Sequence, residues 1–252
     1  MMDEVWWASL YDLIRRDFGF EVERDYEAAE ILDMLLQKHR IPMEDVSREL
    51  RGLLRNSRVL VVGAGPNCVR AGETHVLYDV VVAADGALRC CRSVGVEPQV
   101  VVTDLDGVEL SDLTSFNGFI IIHAHGDNVS RLISLVPLLD GKKMLGTSQV
   151  LLKTSNLSVG GGFTDGDRAV YLALKNEARE VGLTGFDFGE SVGKFSKPYL
   201  NGVVPASPVK KRKFYWGGLL IELMGLSYGA RIHEACSRVE DPIPTAPRFL
   251  QV

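Results

Sequence analysis

No run in the 252-residue sequence approaches the roughly 18 uninterrupted apolar residues of a membrane span. The first residues, Met1, Met2, Asp3 and Glu4, lack the basic start of a secretory signal. Positive charge is not in excess: 28 Lys and Arg stand against 33 Asp and Glu, a net charge of −5. A chain held to nucleic acid by an overall basic field needs the opposite balance. Neither a membrane nor nucleic acid is therefore expected as a partner. Internal repeats and low-complexity tracts are absent. Cysteine is sparse (Cys68, Cys90, Cys91 and Cys236), and no Cys-x-x-Cys pair occurs. Adjacent Cys90 and Cys91 cannot easily share a tetrahedral metal site. Buried reduced thiols in a cytoplasmic protein are expected instead.

What is present points to a packed globular fold. Hydrophobic residues make up 46% of the chain and charged residues 24%, which is too apolar for a disordered chain. The length allows one large domain, or one medium domain with a small appendage. Glycine is abundant at 25 residues, against a usual share of about 7%. The glycines cluster beside acids and histidines, where backbone has to approach a ligand.

The pattern divides the chain into a helical N-terminal segment (1–57), an α/β domain (58–230) and a C-terminal arm (231–252). Over 25–39, Ala28, Ile31, Leu32, Leu35 and Leu36 form one apolar stripe with acids opposite. Pro42 suits the first turn of a further helix through Val46, Leu50, Leu53 and Leu54. Trp6 and Trp7 are expected to anchor this segment. From residue 58, short β-branched runs at 59–62, 80–83, 100–103, 119–122, 143–145 and 183–186 alternate with helical stretches. That alternation predicts a mostly parallel sheet with helices on both faces, a Rossmann-like three-layer fold. Beyond Pro198 the chain becomes irregular. A basic run at 210–213 then precedes an apolar helix over 214–226, and the end is Pro-rich.

Ligands of open parallel sheets bind beyond the carboxyl ends of the strands. Each predicted strand here ends in glycine plus a carboxylate, imidazole or amide. Gly63-Ala64-Gly65-Pro66 fits a phosphate cradle at a helix start, or a tight turn with close helix packing. Asp104 and Asp106 stand at i and i+2, so in extended backbone they point the same way. Such close like charges call for a cation between them, and Mg²⁺ prefers oxygen ligands. His123-x-His125-x-Asp127 resembles part of the motif of binuclear zinc hydrolases, but Asn128 replaces the final histidine. A role in holding phosphate or supporting a metal fits it better. Gly160-Gly161-Gly162 leads into Thr164-x-x-Asp167, a capping-box spacing, and Arg168 is placed to fork onto a phosphate. The basic run at 210–213 suits a solvated helix start or contact with a polyphosphate tail.

In this order GAGP, AADG, TDLDG, HAHGDN, GGFTDGDR and GFDFG resemble the archaeal-type 6-hydroxymethyl-7,8-dihydropterin pyrophosphokinases, over about residues 58–190. That family is similar in fold to the thiamine pyrophosphokinase catalytic domain. The resemblance implies Mg²⁺-dependent transfer of diphosphate from ATP to a reduced pterin, releasing AMP, in folate- or methanopterin-type cofactor synthesis. It implies that Asp85, Asp104 and Asp106 hold Mg²⁺ and that Gly63, Gly65 and Asn67 line the nucleotide phosphates. His125, Asp127 and Asn128 would border the reacting centre on one side, with Thr164, Asp165, Asp167 and Arg168 on the other. Asp127 or Asp165 would orient or deprotonate the alcohol. Phe163 and Phe188 stand in glycine-rich loops and suit either a stack on the pterin ring or the core. The oligomeric state stays open, with a homodimer as one option. Three rival readings remain at this stage. They are a nicotinamide oxidoreductase using Gly63, Gly65 and Asp85, a glycosyltransferase using Asp104 and Asp106, and a non-catalytic nucleotide or pterin sensor.

Overall fold

Val and Ile fill whole strands on both faces, so these strands need cover from two sides. The structure, a computed structural model, describes residues 4–152 and 157–235. Three helices come first: α1 (Glu4–Phe18), α2 (Val22–Leu36) and α3 (Met43–Leu54). Then follow β1 (Arg58–Val62), α4 (Ala71–Thr74), β2 (Val80–Ala84), α5 (Ala87–Ser93), β3 (Val100–Thr103) and α6 (Leu110–Thr114). Next come β4 (Phe119–Ala124), α7 (Val129–Leu135), β5 (Lys143–Ser148), β6 (Leu157–Val159), α8 (Asp165–Lys175) and β7 (Glu180–Thr184). A short antiparallel pair, β8 (Ser191–Val192) and β9 (Val204–Pro205), precedes α9 (Pro208–Tyr228) and β10 (Arg231–Glu234).

The main sheet has the order β10-β7-β1-β2-β3-β4-β5-β6. Every neighbouring pair runs parallel. Alternate residues feed two cores. Val59, Val61, Val82 and Ile121 pack with α1, α3, α8 and α9. Leu60, Val62, Val101 and Ile120 pack with α2 and with α4 to α7. This is the three-layer α/β architecture that the sequence predicts.

The N-terminal helices belong to both layers. Trp7 and Ile14 of α1 and Leu50 and Leu54 of α3 are buried on one face, while Leu32 and Leu36 of α2 are buried on the other. Trp7 is the anchor, and its Nε1 donates to the carbonyl of Gln149 at 3.0 Å. Trp6 stays partly exposed.

Some elements differ from expectation for physical reasons. β7 ends at Thr184 because Gly185 turns to φ +71°. β10 lies where the arm was expected to begin. Its sequence, Arg-Ile-His-Glu, has a single apolar residue, so no hydrophobic run marks this edge strand. The basic run lies inside α9, which starts earlier than predicted. Ser207 caps it by accepting from Lys210 N, and Pro208 opens it. Cys68 and Cys90 are joined in a disulfide, which corrects the expectation of reduced thiols. They are buried on two elements that pack together, the 3₁₀ turn Pro66–Arg70 and α5, with Cα atoms 6.3 Å apart. That spacing suits a bridge. Cys91 is free and buried. Cys236 and the Pro-rich end lie outside the described residues. Among the described residues no helix is long and apolar enough to cross a membrane.

Candidate active site

The chain runs from β1 outward to β6, then returns to β7 on the other side of β1. This reversal opens a crevice beyond the carboxyl ends of β1 and β7, where such folds bind ligands. The two loops facing it are tied together. Gly63 N donates to Thr184 O at 2.8 Å, Gly65 N to Gly185 O at 2.9 Å, and Asn67 N to Asp187 Oδ2 at 2.9 Å. A methyl on Gly63 would stand 2.5 Å from Gly185 O. These glycines are therefore required by close loop packing, and the three N–H groups are spent inside the protein. Both glycines also border the first cavity described below. The Asn67 side chain likewise donates to Asp187.

The next two loops carry the acids. Asp85, Asp104 and Asp106 each place a carboxylate oxygen within 4.8 Å of the others. The convergence does not arise from strand alternation, because β3 ends at Thr103 and Leu105 adopts φ +72°. A tight turn brings the side chains together instead, with Asp106 N donating to Asp104 Oδ1 at 3.2 Å. Asp85 also has a positive φ, +52°. Its Oδ1 accepts from Thr103 Oγ1 at 2.7 Å and from Gly107 N at 3.2 Å. Two non-glycine residues in the left-handed region cost on the order of 1–3 kcal/mol each, and such strain concentrates at functional sites.

The acids carry unequal proton affinities. Burial, and then the charges of Asp104 and Asp106, push Asp85 up to about 7. Burial also pushes Asp104 up, but the His125 hydrogen bond, Asp106 and the nearby cations outweigh it and hold Asp104 well below the usual range. Lys197 forms an ion pair with Asp106. An all-oxygen set this crowded with negative charge fits a hard divalent cation.

A stability difference follows from Asp85. Its folded-state value lies above the roughly 4 of an unfolded carboxyl. Between about pH 4 and 7 the folded chain keeps a proton that the unfolded chain releases, so stability is lost as pH rises through that window. In metal-free buffer, Asp85→Asn should raise the melting temperature more at pH 8 than at pH 5. Buried His123, held well below its ordinary value by desolvation, acts in the opposite sense in both proteins and cancels. Equal differences at the two pH values would contradict the assignment.

The loop after β4 supports the acids from the far side. His125 Nε2 lies 3.3 Å from Asp104 Oδ2, and His125 Nδ1 accepts from Asp127 N at 3.3 Å. Both ring nitrogens are engaged, which orients the imidazole against Asp104. Asn128 is buried and accepts from His125 N at 3.1 Å. Its amide nitrogen donates to Asp104 O at 2.9 Å and His123 O at 2.7 Å. It braces the two loops. His123 is fully buried against Thr147, with 2.9 Å from Nδ1 to Oγ1, and does not reach the acidic set. Asp127 is largely exposed, 3.6 Å from Arg24.

The N-terminal helices reach this loop, although no motif marks them. Asp25 Oδ1 accepts from Gly126 N at 2.8 Å, and Arg24 donates to Gly126 O at 3.1 Å. Tyr11 donates its hydroxyl proton to Asp25 Oδ2.

On the opposite side, α8 begins with the predicted capping box. Asp167 is fully buried, accepting from Phe163 N at 2.6 Å and Thr164 N at 2.8 Å as well as from the Thr164 hydroxyl. The cap engages that carboxylate, so Asp167 holds the helix start. Arg168 is buried, donating to Asp165 at 3.1 Å and to Phe163 O at 2.8 Å. Burial and then the charge of Asp104 push Asp165 well above the usual carboxylate range, against Arg168. Gly161 and Gly162 serve packing, against Tyr171 and the Arg168 backbone.

Two cavities meet here. One, of about 150 Å³, holds the three acids, Asp165, Phe188 and Lys197, with Lys210 and Lys213 from α9. The other, of about 280 Å³, is walled by Tyr11, Phe20, Arg24 and Asp25 together with His125, Asp127 and Gln149. Asp104, Phe163, Arg168 and Lys213 line both. Predicted Gly63, Gly65, Thr164 and Asp165 border the first cavity, and predicted His125 and Asp127 the second.

Residues 29–193 match a protein family described as 6-hydroxymethylpterin diphosphokinase MptE-like. Curated relatives named 6-hydroxymethyl-7,8-dihydropterin pyrophosphokinase align along nearly the whole chain. The protein from Pyrococcus furiosus is 38% identical over 237 residues, 90% of this chain and 96% of the relative. That from Methanothermobacter thermautotrophicus is 35% identical over 234 residues, 90% of this chain and 97% of the relative. That from Methanocaldococcus jannaschii is 31% identical over 240 residues, 88% and 96% of the two chains. With a strand-end acidic set, a double cavity and full-length relatives of one name, the chain belongs to the MptE-like 6-hydroxymethylpterin diphosphokinase family, a family of diphosphotransferases.

Proposed function

We propose that this chain transfers the diphosphoryl group of ATP to the hydroxymethyl group of 6-hydroxymethyl-7,8-dihydropterin, using Mg²⁺ and releasing AMP. The product serves folate- or methanopterin-type cofactor synthesis in the cytoplasm. The observation that carries the reading is the meeting of Asp85, Asp104 and Asp106 with Lys197, Lys210 and Lys213 in one cavity. Acids alone would repel a triphosphate, whereas acids that hold a cation, faced by lysines, attract one.

Asp85, Asp104 and Asp106 hold the Mg²⁺. When bound it neutralises phosphate charge, the main requirement of phosphoryl transfer. Lys197, Lys210, Lys213 and Arg168 bind the phosphate oxygens. The Phe188 ring, 5.9 Å from that of Phe214, offers a face for the base. The acceptor lies in the second cavity with its hydroxymethyl group at the junction. The acceptor oxygen forms a bond to the β-phosphorus, and the bond from that phosphorus to the bridging oxygen breaks. AMP leaves with the electron pair. The alcohol proton passes to a carboxylate, for which Asp165 is better placed than Asp127. Asp165 is half-buried beside Arg168 in the phosphate cavity, while Asp127 is exposed.

Incubation with ATP, Mg²⁺ and the reduced pterin should give pterin-dependent AMP. Asp165→Asn should cost about 10²- to 10⁴-fold in kcat, the usual weight of a general base, and Asp127→Asn less than about tenfold on the same scale. ADP as the nucleotide product, or no dependence on the pterin, would overturn the proposal.

A further inference from the structure

We infer that Gln149 reads the ring edge of the acceptor, its side-chain amide pairing with the N–H groups of a flat heteroaromatic lactam. The inference rests on the proposed function above, in which the larger cavity takes the pterin. That cavity, about 280 Å³, is small for a ligand pocket and suits a bicyclic ring. Gln149 lines it and is only 5% exposed. Its Oε1 has no hydrogen-bond partner among the described residues. A buried amide oxygen left unpaired costs about 1–3 kcal/mol, and native structures tolerate it mainly where something else completes the bond. The two amide atoms can be exchanged by a flip, so the point holds for either orientation.

The position is rigid and otherwise unclaimed. Gln149 directly follows β5, and its carbonyl is held by Trp7 Nε1 at 3.0 Å. Asp25, a buried acid on the same wall, is already spent on Tyr11 and Gly126 N. Arg168 Nε, also buried and unpaired, sits on the wall shared with the phosphate cavity. It therefore belongs to the reacting end. Phe20 and Phe163, with centroids 6.4 Å apart, supply apolar ring surface. A pterin carries its amino-lactam edge at one end and its hydroxymethyl group at the other. With the lactam at Gln149, the alcohol points to the junction at Asp104 and Arg168.

The test compares the native chain with Gln149→Leu and Gln149→Glu. Binding of 6-hydroxymethyl-7,8-dihydropterin is followed by its fluorescence without ATP, alongside KM for each substrate and the ligand-free melting temperature. Gln149→Leu should weaken pterin binding and raise its KM by about tenfold or more, the value of one buried hydrogen bond. KM for ATP should stay within about twofold, since no contact to the nucleotide is lost. The ligand-free melting temperature should hold or rise, because an unpaired buried acceptor has been removed. Gln149→Glu keeps an acceptor and should retain most of the pterin affinity. Native pterin affinity in Gln149→Leu, or equal loss for both substrates with a lower melting temperature, would overturn the assignment. A native chain that binds pterin yet forms no AMP would instead refute the reaction and leave Gln149's role standing.

Discussion

Asp104→Asn is expected to lower kcat by about 10³-fold, the scale of losing one preorganised electrostatic partner, while the chain still folds. Asp104 alone among the three acids touches both cavities, so its charge acts where donor and acceptor meet. Asparagine keeps the Oδ1 acceptor used by Asp106 N and leaves the backbone carbonyl bonded to Asn128. It loses the contact with His125, whose Nε2–H would face an amide N–H. Because the folded chain holds Asp104 below its usual range, it favours that charge, so the metal-free melting temperature should fall somewhat at neutral pH with the chain still folded. Steady-state kinetics and thermal melting in a chelator check both halves. Native turnover in Asp104→Asn would remove the acidic set from the mechanism.

Deletion of residues 1–57 should leave no cooperatively folded catalytic domain. Trp7, Ile14, Leu32, Leu36, Leu50 and Leu54 are each 2% exposed or less, and burial of each such side chain contributes about 1.5–3 kcal/mol. Their joint loss approaches or exceeds the roughly 5–15 kcal/mol that holds a whole domain together. The deletion also uncovers both faces of the sheet and frees Gly126 from Asp25. Expression of 58–252 with circular dichroism melting checks the point. A cooperative melt near that of the full chain would show the helices to be an appendage after all.

The rim of the sheet is legible in the sequence because each central strand is a short Val and Ile run followed by glycine and an acid. Asp85, Asp104 and Asp106 stand out for that reason, and they do converge. The reason offered for Asp104 and Asp106 is nevertheless wrong, since a left-handed Leu105 and not strand alternation brings them together. The glycines after β1 are ambiguous in the sequence because close loop packing and phosphate binding demand the same residue. Lys197 comes from an irregular stretch, where nothing in the spacing announces a cavity, whereas Lys210 and Lys213 belong to the basic run that suits either a helix start or a polyphosphate contact, and both line the cavity. Tyr11, Arg24, Asp25 and Gln149 are the least visible. Each is a single side chain in an ordinary helix or strand end, joined to the site only by tertiary contact. The burial pattern of α1 to α3 predicts helices correctly but says nothing of the loop they clamp.

The most direct measurement is titration with Mn²⁺, as a paramagnetic stand-in for Mg²⁺, read by electron paramagnetic resonance with and without a non-hydrolysable ATP analogue. The native chain should bind Mn²⁺ far more tightly when the analogue is present. Asp85→Asn, Asp104→Asn and Asp106→Asn should each weaken that bound signal. Undiminished Mn²⁺ binding in all three variants would mean that these carboxylates do not jointly hold the cation, and the account would fail.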